Sequence, residues 1–182
     1  RQEPTTATLT VVKVVTNDNG GNAVVGDFAL SIEGNPTTSG TPVVLAAGSY
    51  TVSELGVSGY DDSFSGDCDL TGEVVLLPGD NKTCTITNND IQPNITLTKV
   101  AVGGPLAASP NSFLPSVGGS VVSSGSSTSV NANTPIAINE TQDPDYDFTS
   151  ITGSPECPGV LGGTVTLDEG EAISCTITNT FN

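Results

Sequence analysis

Two tandem all-β sandwiches are the fold this sequence predicts, and three observations carry that expectation. The stretch Thr83–Asn88, TCTITN, returns as SCTITN at Ser174–Asn179. Through both copies, residues alternate between an apolar-rich face and a hydroxyl face, the period of a half-buried strand. Val, Thr, Gly, Ser and Asn dominate the composition, which suits short strands joined by tight turns and disfavours helices.

The 182 residues leave room for one large or two small domains. A net charge of −16, with only four basic residues, argues against nucleic acid or an anionic membrane as partner. The chain has no His, so a Ser–His–Asp triad and the usual zinc sites are excluded. No apolar run approaches the length of a membrane span, and the opening residues do not read as a signal peptide. The start at Arg1 without Met is that expected of a mature product or an excised piece.

In the first repeat, residues 1–90, the opening strand is Ala7–Thr16, followed by an Asn/Asp/Gly turn at Asn17–Asn22. Asp27–Glu33 follows, with Phe28, Leu30 and Ile32 inward. A polar loop, Gly34–Gly40, leads to strands at Pro42–Leu45 and Ser49–Leu55. An acidic loop then runs to Cys68, and Glu73–Leu77 with a Pro-Gly-Asp turn delivers the chain to Lys82–Asn88. About seven short strands in about 90 residues are the signature of a Greek-key, Ig-like β-sandwich.

After a short linker, Asn89–Pro93, the pattern restarts, and residues 91–182 read as a second copy. Asn94–Val102 answers the first strand, Ser112–Val117 the Phe28 strand, and Pro135–Glu140 the strand around Tyr50. Val165 and Leu167 are matched with Val75 and Leu77. Lys13 to Lys99, Glu54 to Glu140 and Tyr60 to Tyr146 are each 86 positions apart, so the repeat is firm. The Ser/Gly-rich stretch Gly118–Ser129 reads as a loop open to O-glycosylation.

Four cysteines fall one pair to a repeat, Cys68 with Cys84 and Cys157 with Cys175. With no His nearby they read as disulfides rather than metal ligands. Three connectivities are possible, and one keeps each bridge inside its own repeat. Sequons at Asn81, Asn94 and Asn139 permit N-glycosylation. These features point outside the cytoplasm.

Strand phase places an unusual set of polar residues inside. Lys13 shares a face with Leu9, Val11 and Val15, and Lys99 with Ile95, Leu97 and Ala101. Glu54 shares a face with Tyr50 and Val52, and Glu140 with Ile136 and Ile138. Asn88 and Asn179 lie in phase with the apolar residues of the two closing strands. Burying such groups separately is expensive. Placed together they have a chemical outlet, because desolvation favours a neutral amine beside a protonated acid. The amine can attack the Asn carbonyl while the acid hydrogen-bonds it and shuttles protons. Ammonia leaves, and an isopeptide bond joins the first strand to the last.

The blocks LTVVKV, YTVSELGVSGY and TITN, and the second set LTKVAV, IAINETQDPDY and TITN, resemble the Lys, E-box and Asn pattern of collagen-adhesin B-type domains. These are prealbumin-like (transthyretin-like) modules of bacterial surface proteins and pilins. The resemblance implies that Lys13 bonds Asn88 with Glu54 assisting, and that Lys99 bonds Asn179 with Glu140 assisting. In the second copy Asp145 replaces the Gly before Tyr146. The cysteine pair lies outside that pattern and resembles a TCTITN-ending branch of prealbumin-like repeats.

A single lysine on a strand face usually snorkels to solvent, and a single Glu or Asn near a strand end is usually solvated. The duplication at matching positions, in a chain with three lysines, favours the cross-link. Asn89 competes with Asn88, but its phase is outward and the second copy has Thr180 there. Asn17–Asn22 and Asp61–Asp69 hold oxygens enough to suggest calcium, yet neither has EF-hand spacing; turn chemistry and a solvated loop are the better readings. No metal and no cofactor are expected.

The functional expectation is a structural component of an extracellular fibre, stalk or pilus-like appendage, partnered by neighbouring repeats or subunits. One alternative is a filament subunit that assembles by strand exchange, with Arg1–Thr6 available to extend a sheet. Another is an adhesin module for a host glycan or protein, although eight aromatic residues are few for a ligand platform. An enzyme is disfavoured by the lack of His and of any unrepeated convergent site.

Overall fold

The structure, a computed structural model, describes residues 5–104 and 108–182. Arg1–Pro4, within the segment considered for strand exchange, lies outside the described residues. Contacts divide the chain into two units, Arg1–Asp18 with Asn22–Ile91, and Asn19–Gly21 with Gln92–Asn182.

The first unit has eight strands: β1 Thr6–Thr16, β2 Ala29–Ile32, β3 Asn35–Thr37, β4 Pro42–Ala46, β5 Gly48–Leu55, β6 Tyr60–Gly66, β7 Glu73–Leu76 and β8 Asn81–Asp90. They form two four-stranded sheets, ordered β4-β1-β8-β6 and β3-β2-β5-β7. Alternation drives the packing. Leu9 and Val11 of β1 and Cys84 and Ile86 of β8 face Leu30, Ile32, Val52, Val74 and Leu76 of the other sheet, all buried.

The second unit repeats this plan with β9 Asn94–Val102, β10 Ser116–Val117, β11 Ser120–Val121, β12 Ser126–Ser129, β13 Ile136–Asn139, β14 Tyr146–Gly153, β15 Thr164–Val165 and β16 Ala172–Phe181. Its sheets are ordered β12-β9-β16-β14 and β11-β10-β13-β15, position for position the order of the first unit. The core is Ile95, Leu97, Val117, Ile138, Val165, Leu167, Ile173, Cys175 and Ile177.

In each unit the first and last strands pair in parallel at the centre of one sheet, β1 with β8 and β9 with β16. Every other strand pair is antiparallel. A parallel pair requires a long crossover, and here the remaining strands of the unit supply it.

Four sequence expectations are corrected. The acidic stretch after Tyr60 is not a loop: it forms the edge strand β6, antiparallel to β8 with Phe64 opposite Ile86. Its polar residues concealed it, since only Tyr60 and Phe64 are even partly buried along its length. The Ser/Gly-rich stretch likewise carries β11 and β12, and β12 pairs with β9 as β4 pairs with β1. Ser residues alternate there as apolar residues do elsewhere, an edge strand without a hydrophobic signal. The partners of Val165 and Leu167 are Val74 and Leu76, which are buried; Val75 and Leu77 are exposed. Val165 pairs with Ile136 as Val74 pairs with Tyr50, so the offset between repeats grows from 86 at Tyr60 and Tyr146 to 89 at Cys68 and Cys157 and 91 at Val74 and Val165. The segment around Phe28 also begins as a single 3-10 turn, Val25–Asp27, matched by Pro110–Phe113 in the second unit.

The structure joins Cys68 to Cys84 and Cys157 to Cys175, with Cα separations of 5.1 and 5.8 Å. Each bridge ties the last strand to the segment that leaves the neighbouring edge strand. Gly66 and Gly153 end those edge strands at φ +83° and +135°, where a Cβ would overlap the carbonyl of Thr83 or Ser174. Gly153→Ala is therefore expected to destabilise the second unit by more than about 1 kcal/mol, measured by urea unfolding. A neutral effect would contradict this close approach.

Candidate functional site

Each unit buries one lysine, one glutamate and one asparagine between its sheets. The β1–β8 register explains the first cluster. Lys13 lies opposite Ile86, and Asn88 is the next residue of β8 on the same face. The β9–β16 register repeats this, with Lys99 opposite Ile177 and Asn179 two residues further on. The glutamates come from the facing sheet: Glu54 is in β5 and Glu140 directly follows β13. Thus two neighbouring strands supply amine and amide, and the opposite sheet supplies the acid.

In the first unit, Lys13 Nζ lies 3.0 Å from Glu54 Oε2 and donates to Asn88 Oδ1. The lysine side chain is fully buried and that of Glu54 is 5% exposed. In the second, Lys99 Nζ lies 3.0 Å from Glu140 Oε2, and both side chains are fully buried. Asn179 Nδ2 donates to Glu140 Oε1 at 2.7 Å. Burial pushes both lysine amines below their ordinary range, and the glutamate beside each opposes that push without cancelling it. The arrangement can do acid–base chemistry on an amide, with a nucleophile whose burial makes its proton easier to lose.

Two features of the clusters escaped the sequence reading. Phe28 and Phe113 lie under the amines, with Lys13 Nζ 4.2 Å and Lys99 Nζ 4.3 Å from the ring centroids. Tyr60 packs edge-on against Phe28 and Tyr146 against Phe113. Each ring stabilises a charged amine through its face while excluding water. The signal was present, since both Phe–Tyr pairs recur between repeats. A serine–glycine step closes the backbone outside each lysine: Lys13 N donates to Ser39 Oγ and Lys99 N to Ser124 Oγ, both at 2.8 Å. Gly40 N and Gly125 N donate to the carbonyls of Val11 and Leu97, also at 2.8 Å. The Ser-Gly dipeptides were visible, but they lay in stretches read as loops.

The remaining candidate residues take other positions. Asn81 and Asn139 are exposed, whereas Asn94 is half-buried and its Oδ1 accepts from Ser127 Oγ at 3.0 Å. The acids beyond β6 serve the backbone: Asp67 Oδ2 accepts from Thr83 N at 2.7 Å, and Asp69 Oδ1 from Thr71 N at 2.8 Å and Glu73 N at 2.9 Å. Hydrogen bonds from the Thr71 hydroxyl and these amides hold the Asp69 carboxyl below its usual range. Among the described residues no group of three or more His, Cys, Asp or Glu is placed to hold a metal, and no helix is long and apolar enough to cross a membrane.

Residues 4–86 match the family model of the prealbumin-like fold domain. Comparison with curated protein sequences found no match. Among solved structures the chain is similar to the Bacillus anthracis TIE protein, at 15% identity and a TM-score of 0.50 over 99% of this chain. It spans 34% of that protein's length. Two Streptococcus pyogenes structures align over the whole chain with lower scores. They are the T-13 major pilin protein (14% identity, TM-score 0.39, 98% of that chain) and a major pilin (11%, 0.36, 99%). The matched segment covers β1–β7 and the inward-facing residues of β8 as far as Ile86, and the second unit reproduces its strand order. Residues 4–86 are thus similar to a prealbumin-like fold domain, and the second unit repeats the strand order of the first.

Proposed function

We propose that this chain is a load-bearing segment of an extracellular fibre, stalk or pilus-like appendage, in which each repeat cross-links itself through a Lys–Asn isopeptide bond. The observation that carries the reading is the duplicated burial of lysine, glutamate and asparagine at the junction of the first and last strands. Nothing in an ordinary sandwich core requires that trio, and burying it costs stability unless it is fully paired or consumed.

The chemistry follows from the placement. Lys13 Nζ passes a proton to Glu54 and attacks Asn88 Cγ, while the Glu54 carboxyl, carrying that proton, hydrogen-bonds the amide oxygen. The Nζ–Cγ bond forms, the Cγ–Nδ2 bond breaks, and a lysine proton relayed through Glu54 leaves with Nδ2 as ammonia. Lys99, Asn179 and Glu140 take the same parts in the second repeat. The product is a neutral amide between parallel strands, so the desolvated charges are removed. It is a single self-modification and not a turnover.

A bond at this place redirects tension. Force entering at β1 passes straight to β8, and the chain from residue 14 to residue 87 is bypassed. The partners implied are neighbouring repeats or subunits of the same fibre.

Two outcomes test this reading. Pulled by its ends in reducing buffer, the wild-type chain is expected to extend without unfolding steps from either repeat, whereas Lys13→Ala/Lys99→Ala gains two full unfolding steps. Unfolding steps in the wild type equal to those of the variant would sink the mechanical role. The second concerns pH. Where the amide is removed, as in Asn88→Ala/Asn179→Ala, two buried amines persist with folded pKa values below the unfolded value of 10.5. Between those values the unfolded chain binds more protons, so stability rises with pH through that window. The cross-linked wild type has no free buried amine and is expected to lack this rise. The same alkaline gain in both proteins would mean that the lysines remain free.

A further inference from the structure

The two clusters are not identical. In the first unit the Asn88 carbonyl oxygen already faces Lys13 Nζ, Glu54 Oε2 meets the same amine at 3.0 Å, and Glu54 Oε1 has no hydrogen-bond partner. In the second unit the amide is turned the other way. Asn179 presents its Nδ2 to Glu140 Oε1, and its carbonyl oxygen has no hydrogen-bond partner. The same Glu140 Oε1 accepts a second N–H, from Gln142 Nε2 at 3.1 Å. The residue at that place in the first repeat is Gly56, two positions after Glu54, and it has no side chain to offer.

We propose that Gln142 is a positioning residue that slows cross-linking in the second repeat by holding Glu140 Oε1 as an acceptor and the Asn179 amide in the unreactive orientation. The proposal rests on the isopeptide reading above. An oxygen that accepts two N–H groups cannot at the same time be the O–H donor that polarises the Asn179 carbonyl. Before Lys99 Nζ can attack Asn179 Cγ, the amide must turn and release its 2.7 Å bond to Glu140. The Gln142 contact keeps the carboxyl where that bond is satisfied. The reaction is otherwise balanced as in the first repeat: Nζ–Cγ forms, Cγ–Nδ2 breaks, and a lysine proton passes through the carboxyl to the departing ammonia. The first repeat, with a glycine at the same place, closes first, and the second follows after its sheets have packed.

The pair of positions allows the device to be exchanged. Gly56 does not have a left-handed backbone, and a Cβ built on it meets nothing within 4 Å, so Gly56→Gln is sterically free. Full-length chain is made by cell-free synthesis in oxidising buffer with a brief isotope pulse, quenched in acid at intervals and digested. The branched peptides carrying Lys13–Asn88 and Lys99–Asn179 are then quantified separately.

The first branched peptide is expected to appear before the second. Gln142→Leu is expected to speed the second by about threefold to tenfold, the worth of one hydrogen bond, and Gly56→Gln to slow the first by a similar factor. A merely structural role for Gln142 would alter stability and would not transfer a delay to the other repeat. Should Gln142→Leu fail to fold, Gly56→Gln still decides. Equal rates in the wild type, left unchanged by Gly56→Gln, would overturn the proposal while leaving the cross-links intact. Absence of both branched peptides at all times would overturn the isopeptide reading and this one with it.

Discussion

The parallel pairing of first and last strands is the constraint on which the rest of each unit depends. Parallel neighbours cannot be joined by a hairpin, so the intervening strands must form the second sheet and the two edges before the chain returns. That return brings Ile86 and Asn88 alongside Lys13, and Ile177 and Asn179 alongside Lys99. A one-residue slip in either register would turn the asparagine to solvent and leave the lysine buried beside a lone glutamate. The polar cluster and the strand register therefore specify each other.

The disulfides act on the same closing strand from its other side. Cys84 is four residues before Asn88, and Cys175 four before Asn179, with all four side chains inward. Each bridge closes a short loop of 16 or 18 residues, which restricts the unfolded chain by about 3 kcal/mol. Small cores in a chain with only eight aromatic residues gain much from such staples. One staple ties the closing strand to the segment beyond β6 or β14, and the proposed isopeptide ties it to β1 or β9. The edge strands β6 and β14 then hang on a strand that is fixed on both flanks.

How legible this was in the sequence differed from strand to strand. Where alternation was apolar, as in Leu9–Val11–Lys13 or Cys84–Ile86–Asn88, phase alone placed every side chain correctly. It also placed the buried polar residues, because a lysine or asparagine in an otherwise apolar phase is conspicuous. Edge strands were less visible. β6 and β12 bury little, so YDDSFSG and SSTS carried no hydrophobic period and read as loops. Backbone pairing with β8 and β9 holds them, and a polar edge also discourages pairing with other chains. The aromatic rings beneath the amines were named as core residues without their second role, since pattern gives the face of a side chain but not its neighbour across the sandwich. Gln142 was missed for a related reason: it is exposed, it lies outside any strand, and its contact is made by the tip of a long side chain.

The most direct test of the central claim is the intact mass of the reduced, deglycosylated wild-type chain against the mass of its sequence. Self-cross-linked repeats predict a deficit of two ammonias, with digestion yielding branched peptides that join Lys13 to Asn88 and Lys99 to Asn179. A mass equal to that of the sequence, with all four residues recovered in linear peptides, would contradict it and leave the disulfides as the covalent ties of the two units.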